Sequence, residues 1–287
     1  MQWFIRRAVF SSSDPSRAQR ALKSATETLF SVLFPSNCRI CRSPLTNVSA
    51  LPVCGTCLQK IVPLEGILCS ACGEKLPGRY FERDGGACCG LCHRVPPPFQ
   101  KAVSYGAYDG ALRELIHLFK YQHVRPSAPL LGRLLDHAIA GMPLPERLLV
   151  VPVPLSRARQ RDRGFNQAEQ IARNFVHCRP RTGIQLSNSA LVRTRETASQ
   201  TGLTRHQRRS NLRGAFAVTH PEMVRERNIL VVDDVMTTGT TASECARVLL
   251  RAGANQVFVA TVARATKEVE GLLGSADPHR GGTLGHA

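Results

Sequence analysis

The chain has 287 residues, 43% of them hydrophobic, and a formal net charge of +17 from 38 lysines and arginines against 21 acids. That length suits one medium domain with a smaller companion and material for a real core, and no apolar run reaches the roughly 18 residues of a membrane span. The opening Met1-Gln-Trp-Phe-Ile-Arg-Arg7 places its charges after its apolar residues and has no long apolar stretch, so it reads poorly as a secretory leader; a cytoplasmic protein without membrane insertion is expected.

Residues 1–37 form an extension. Ser11 to Pro15 reads as a loop, and Ala18 to Phe34 carries Leu22, Ala25, Leu29, Val32 and Leu33 at helical spacing. This short amphipathic helix has too little charge to seek a membrane surface and is expected to pack on the body.

The next segment, 38–95, holds four Cys-x-x-Cys pairs: Cys38/Cys41, Cys54/Cys57, Cys69/Cys72 and Cys89/Cys92. A disulfide framework is out of place in a cytosolic chain. Four thiolates suit tetrahedral Zn2+, and a two-residue spacer lets one tight knuckle supply two of them. The repetition of the pair argues against a redox dithiol. Sequential pairing is simplest: Cys38, Cys41, Cys54 and Cys57 in one site, Cys69, Cys72, Cys89 and Cys92 in the other. The sequence leaves a crossed pairing open, and Cys88 or His93 as substitute ligands. Gly55 and Gly73 sit where a knuckle often needs positive φ. With four ligands each, both zinc sites are closed and structural, and metal binding is expected to supply much of the folding energy. Cys178 and Cys245 stand alone on expected helices and read as small buried hydrophobes.

Pro96-Pro-Pro98 is a stiff linker and the domain boundary. Beyond it, 99–266 alternates apolar strands with helices. Strands are expected at 102–108, 148–153, 229–232 and 257–262, and helices from Asp109 to about 121, at 128–140, 164–176 and from 242 to 250. Continuous apolar strands interleaved with helices imply an α/β fold, a parallel sheet covered on both faces. The tail, 267–287, is glycine-rich and polar and is expected to be disordered.

Three segments of this domain carry the chemistry. Pro152 to Gln167 is a basic turn after an apolar strand. Leu191 to Phe216 is a long, polar, basic insertion of the kind that forms lids, with part of 203–212 helical. Between Arg157 and Arg213 there are thirteen arginines against Asp162, Glu169 and Glu196, which points to a polyanionic partner. The third segment, Ile229-Leu-Val-Val-Asp-Asp-Val-Met-Thr-Thr-Gly-Thr-Thr241, is the most telling. Its strand ends in Asp233 and Asp234, and a turn of small hydroxyl residues leads into a helix. Helix N-termini offer free N–H groups to phosphate, and Gly239 lets the backbone approach closely. One half of the turn wants an anion and the other half is anionic, which a sugar phosphate satisfies.

This third segment resembles the phosphoribosyl pyrophosphate (PRPP) motif of type I phosphoribosyltransferases. The resemblance implies ribose hydroxyls on Asp233 and Asp234 and the 5-phosphate on Thr237, Thr238, Gly239, Thr240 and Thr241. It implies pyrophosphate at Leu155, Ser156 and Arg157, within reach of Arg161 and Arg163, and a lid lowering Arg193, Gln200, Arg208 and Arg209. Magnesium is expected with PRPP, because that ion bridges phosphate oxygens with few protein ligands. The wider order is similar to the ComF family over about residues 30–265: cysteine knuckles, Val-Pro-Val-Pro, Arg-Gly-Phe-Asn-Gln, Asn-Leu-Arg-Gly-Ala-Phe, Val-Val-Asp-Asp-Val-x-Thr-Thr-Gly. That likeness implies a double zinc ribbon joined to a phosphoribosyltransferase domain, a role in natural competence, and single-stranded DNA and other DNA-uptake proteins as partners. Two functions follow from it: phosphoribosyl transfer to an acceptor the family does not define, or PRPP sensing by a non-catalytic DNA-binding protein.

Overall fold

The computed structural model describes residues 36–45, 49–76, 78, 80–83, 85–179, 183–197 and 205–265. The expected helix within 18–34 and the tail from 267 lie outside the described residues, as does Gln200.

The N-terminal part contains one small motif built twice. Helix α1 (Gly55–Gln59), strands β1 (Phe81–Arg83) and β2 (Gly86–Cys88) and helix α2 (Gly90–Arg94) are all short. The first knuckle of each half closes on an isolated bridge, Asn37 to Pro44 in one and Leu68 to Lys75 in the other. The second knuckle of each half opens a helix, with Cys54 and Cys89 as the N-caps of α1 and α2. Gly73 does take positive φ, +69°, but Gly55 does not: it begins α1, and the residue matching Gly73 in the first half is Arg42, at φ 64°.

A five-stranded parallel sheet follows, in the order β3-β9-β8-β4-β5. Its strands are β3 (Ala102–Ala107), β4 (Arg147–Pro152), β5 (Gly183–Leu186), β8 (Asn228–Met236) and β9 (Gln256–Arg264). Helices α3 (Gly110–Tyr121), α4 (Ala128–Ile139), α6 (Gln167–His177) and α9 (Thr240–Arg251) flank it. The strands read as unbroken apolar runs because both faces are covered: Leu230 and Val232 join the core under α3, α4 and α6, while Ile229 and Val231 join the core under α9.

Three differences from the sequence reading stand out. Arg157–Arg163 is a helix, α5, where a basic turn was expected; Ser156 caps it, and Gly164 at φ 68° ends it before α6 starts at Gln167. The insertion contains a small antiparallel pair, β6 (Leu191–Arg193) with β7 (Phe216–Val218), and between them α7 (Arg205–Leu212). Its strands of three residues are too short for a periodicity to register. Cys178 is exposed at the end of α6, whereas Cys245 is fully buried on α9. A last short helix, α8 (Pro221–Val224), leads into β8.

The two ribbon halves straddle edge strand β3. Cys38, Val53, Cys57 and Ile61 join the core on one face of the sheet, and Cys69, Cys72, Cys89 and Cys92 join the core on the other. Between them residues 64–71 hydrogen-bond to the strand's outer side, Ala102 N–H to Ala71 O at 2.8 Å and Leu64 N–H to Tyr105 O at 2.6 Å.

Candidate functional site

The sheet reverses its winding between β4 and β8, so the crevice beyond their carboxyl ends is where open α/β sheets bind ligands. The basic turn after β4 and the acidic strand end of β8 therefore face one another, joined by Val153 N–H to Val232 O at 2.9 Å.

Strand alternation sends the two acids to opposite faces. Asp234 lies on the α3 face and is paired with Lys120, Nζ to Oδ1 2.7 Å, with both side chains nearly covered (12% and 11% exposed). Burial, the largest single influence, lowers the Lys120 pKa, but the charge and hydrogen bond of Asp234 together with Tyr108 make the net shift upward. Asp233 points towards α9 and has no such ion pair among the described residues. Burial, and then the neighbouring Asp234 charge, push its carboxyl up to about 7. It accepts the Asp234 N–H at 2.8 Å.

Past Met236 the chain turns through Thr237 and Thr238 to Gly239 at φ 73°, and α9 begins at Thr240. A Cβ on Gly239 would meet only the flexible end of Met236, so the left-handed turn, rather than crowding, calls for glycine here. The helix has no side-chain cap, so its first N–H groups remain open to a ligand. Thr238 and Thr240 hydroxyls touch at 2.8 Å.

Both expected cysteine sets gather into clusters, Cys38, Cys41, Cys54, Cys57 and Cys69, Cys72, Cys89, Cys92, with each set's sulfurs within 4.8 Å of one another. This settles the pairing as sequential. Tetrahedral Zn–S bonds of about 2.3 Å put sulfurs roughly 3.8 Å apart, and the clusters show 3.9 Å for Cys38–Cys57, 3.6 Å for Cys41–Cys54 and 3.8 Å for Cys72–Cys89. Backbone N–H groups point at the sulfurs identically in both halves, Cys54 to Cys38 and Cys89 to Cys69, each at 3.3 Å. The donor sets fit zinc. Cys88 stays outside, buried, its thiol pushed up to about 11 chiefly by burial.

A family model of the double zinc ribbon domain matches residues 29–94, and one of the phosphoribosyl transferase domain matches 160–272. The chain is 36% identical over 234 residues to the DNA utilization protein YhgH of Escherichia coli K12, covering 78% of this chain and 95% of that one. It is 32% identical over 240 residues to competence protein F of Haemophilus influenzae, covering 81% and 98%. This chain belongs to the ComF family. Among solved structures, this ComF chain aligns with the allosteric regulatory enzyme of purine biosynthesis at 22% identity and TM-score 0.32, over 48% of this chain and 26% of that one. The architecture is that of a type I phosphoribosyltransferase, with two four-cysteine clusters at its N-terminal side.

The expected lid of this ComF chain touches the β8–α9 turn, where Arg208 Nη1 donates to Thr237 Oγ1 at 3.2 Å. Arg193 sits on the Phe216 ring, 5.5 Å from its centroid, and bonds Thr197. Its pKa is lowered, first by burial. Gly214 N–H donates to buried Glu244 of α9 at 3.0 Å, which anchors the end of the insertion. The side chain of Arg209 lies outside the described residues.

Around the basic turn, Leu155 is half-buried, Ser156 is buried, and Arg157 and Arg161 are exposed. Arg163 turns inward, bonding Gln167 Oε1 at 2.9 Å and stacking on Tyr121 at 5.2 Å. Glu196 of the insertion accepts the Ala158 N–H at 3.1 Å, and that bond is the main cause of its lowered pKa.

Sequence reasoning missed Lys120, Glu196, Tyr108 and Tyr121. Lys120 and Tyr121 fall at the end of an amphipathic helix and read there as ordinary surface residues. Half-buried His117 lies between the Tyr108 and Tyr121 rings, at 6.4 and 5.4 Å, and burial lowers its pKa. Among the described residues, no helix is long and apolar enough to cross a membrane.

Proposed function

We propose that this ComF protein binds PRPP with Mg2+ at the β8–α9 turn and transfers the phosphoribosyl group to an acceptor during DNA utilization in the cytoplasm. One observation carries the reading: a carboxylate pair and an uncapped helix N-terminus meet in a single hydroxyl-rich turn at the sheet's switch point.

In this reading Thr237 to Thr241 take the 5-phosphate, and Asp233 and Asp234 accept hydrogen bonds from the ribose hydroxyls. Leu155, Ser156, Arg157 and Arg161 line the pyrophosphate side, and Arg163, braced on Tyr121, holds α5 in register. Glu196 gives up the Ala158 N–H to the incoming anion. Arg193, Gln200, Arg208 and Arg209 then close over it and exclude water. The hard carboxylate donors fit magnesium, which when bound neutralises the leaving pyrophosphate. Bond cleavage at C1 leaves an oxocarbenium-like centre, so the protein's task is to position the acceptor and stabilise the departing charge.

A specific observation favours a second reading, PRPP sensing by a single-stranded-DNA-binding protein. Phe81, 48% exposed, stacks on His93 at 4.3 Å and 12° on the second ribbon, beside Arg94. Such a ring pair is a stacking platform for a base.

Calorimetric titration of zinc-loaded protein with Mg–PRPP tests the first reading: binding is expected, and absence of heat at any temperature overturns it. Consumption of PRPP in the presence of acceptor bases separates transfer from sensing. In the Asp233→Asn/Asp234→Asn variant PRPP binding is expected to fail while DNA binding persists. Parallel loss of both would sink the idea of two surfaces.

A further inference from the structure

We infer that Arg264 couples metal occupancy of the second four-cysteine cluster to the phosphate turn, so that zinc and the sugar phosphate bind interdependently. The coupling half of this inference rests on the PRPP reading above; the contact between Arg264 and the cluster does not.

Arg264 ends β9 and is 3% exposed. Its Nη2 donates to Cys72 Sγ at 3.8 Å and lies 3.9 Å from Glu74 Oε2. Its Nε and Nη1 are buried without a hydrogen-bond partner among the described residues. A guanidinium withdrawn from water this completely needs a counter-charge. Glu74 supplies one at the edge of ion-pair range. A metal-loaded centre of four cysteines supplies more: four thiolates against one divalent ion leave two net negative charges beside the guanidinium. Without the ion nothing fixes the four sulfurs beside the guanidinium, and its carboxylate partner Glu74 stays 3.9 Å away. Arginine and zinc therefore stabilise one another, in the manner of outer partners that orient and charge-balance metal ligands.

The first cluster is built differently. Its sulfurs are met by backbone N–H groups and by the Ser43 hydroxyl, 3.4 Å from Cys41, and Cys41 is exposed. Of the two arginines beside its ligands, Arg39 reaches away to Gln122 at 3.5 Å and Arg42 is exposed.

From Arg264 the path to the phosphate turn is one strand wide. Arg264 pairs in register with Met236, the residue before Thr237. Ala265 N–H donates to Met236 O at 2.9 Å, and Tyr108 N–H to Arg264 O at 2.7 Å. The Met236 methyl in turn fills the space beside Gly239. On the cluster side, Gly73 follows Cys72 directly and lies against Ala102 O, where an added Cβ would come within 2.8 Å. A shift of Arg264 is thus transmitted to the backbone that precedes the turn. Linkage makes the effect mutual, so a ligand on the turn must also hold the metal.

The test follows zinc release from the full-length protein into a chromophoric chelator, with and without Mg–PRPP. Wild type is expected to release its two ions in separable phases. Arg264→Met should speed one phase by about tenfold or more, leave the other unchanged, and return towards wild type in Arg264→Lys. Mg–PRPP should slow that same phase in wild type and not in Arg264→Met. Unchanged release from Arg264→Met without PRPP overturns the contact. Should Arg264→Met fail to fold, Arg264→Gln decides, because wild-type release from a variant that keeps a polar side chain but loses the charge also overturns it. If calorimetry shows Mg–PRPP binding but release does not slow, the coupling is overturned while the PRPP reading stands. If calorimetry shows no binding, the PRPP reading fails and the ligand-free arm still decides the contact.

Discussion

The ribbons and the end of β8 treat buried charge in opposite ways. In the ribbons the sulfurs of each cluster converge on one point, backbone N–H groups aim at them, and in the second half a buried guanidinium adds its charge. At the strand end the two carboxylates are unequal. Asp234 is matched by Lys120, and Asp233 is held at about 7 by burial and by its neighbour. Satisfied charge builds a rigid support, whereas unsatisfied charge stores a demand that a ligand can meet.

Substitutions can break that contrast, beginning on the ribbon side. Cys72→Ser removes a ligand from the cluster buried in the sheet's own core and should lower the melting temperature by on the order of 10 °C, with loss of one zinc per chain. Cys41→Ser, in the half whose ligand is exposed, should cost clearly less; equal losses in a thermal scan with metal analysis would erase the difference between the halves. Lys120→Met comes next. It strands Asp234 in a covered site, and removal of one partner from a buried pair costs about 3 kcal/mol or more, readable as a shifted urea midpoint. Retention of wild-type stability would show that the pair carries no weight.

Asp233→Asn should do the reverse. Because the folded protein holds this proton up to about pH 7 while the unfolded chain releases it near 4, the unfolded state binds fewer protons between those values. Stability contributed by this group therefore falls as pH rises from about 4 through 7. The asparagine variant should gain a few degrees at pH 8, little at pH 4, and lose PRPP binding. A variant destabilised at pH 8 would show that Asp233 is already satisfied. The smallest effect is expected at Arg42, which occupies with a side chain the left-handed position that its counterpart Gly73 fills without strain. Arg42→Gly should stabilise by up to about 1 kcal/mol, and an unchanged denaturation midpoint would deny the likeness of the two knuckles.

Much of this was legible in the residues. Metal ligands announce themselves because a two-residue spacer is dictated by knuckle geometry, and the strand, acid pair and turn of 229–241 form one unbroken local unit. The partners of that unit were not legible. Lys120 lies 114 positions from Asp234, and Arg264 lies 192 from Cys72. Nothing in the local pattern at either end distinguishes them from surface cations; only the sheet order brings them together. The helix Arg157–Arg163 was hidden for another reason. Four arginines in seven residues suggest a solvated turn, whereas the evidence for a helix lies in its ends, the Ser156 cap and Gly164. Only Arg163 of the four is buried, so the helix shows no apolar stripe.

The way residues 64–71 lie along Ala102–Ala107 has a consequence for how this molecule tolerates dissection. Peptide groups on the outer margin of β3 find their mates in Ala71 and Leu64, and a chain severed at Pro96 would bare that margin. Naked borders of a sheet recruit strands from other molecules. The cysteine-rich half thus serves also as a hem, and a fragment that begins after Pro96 should accumulate as polymer.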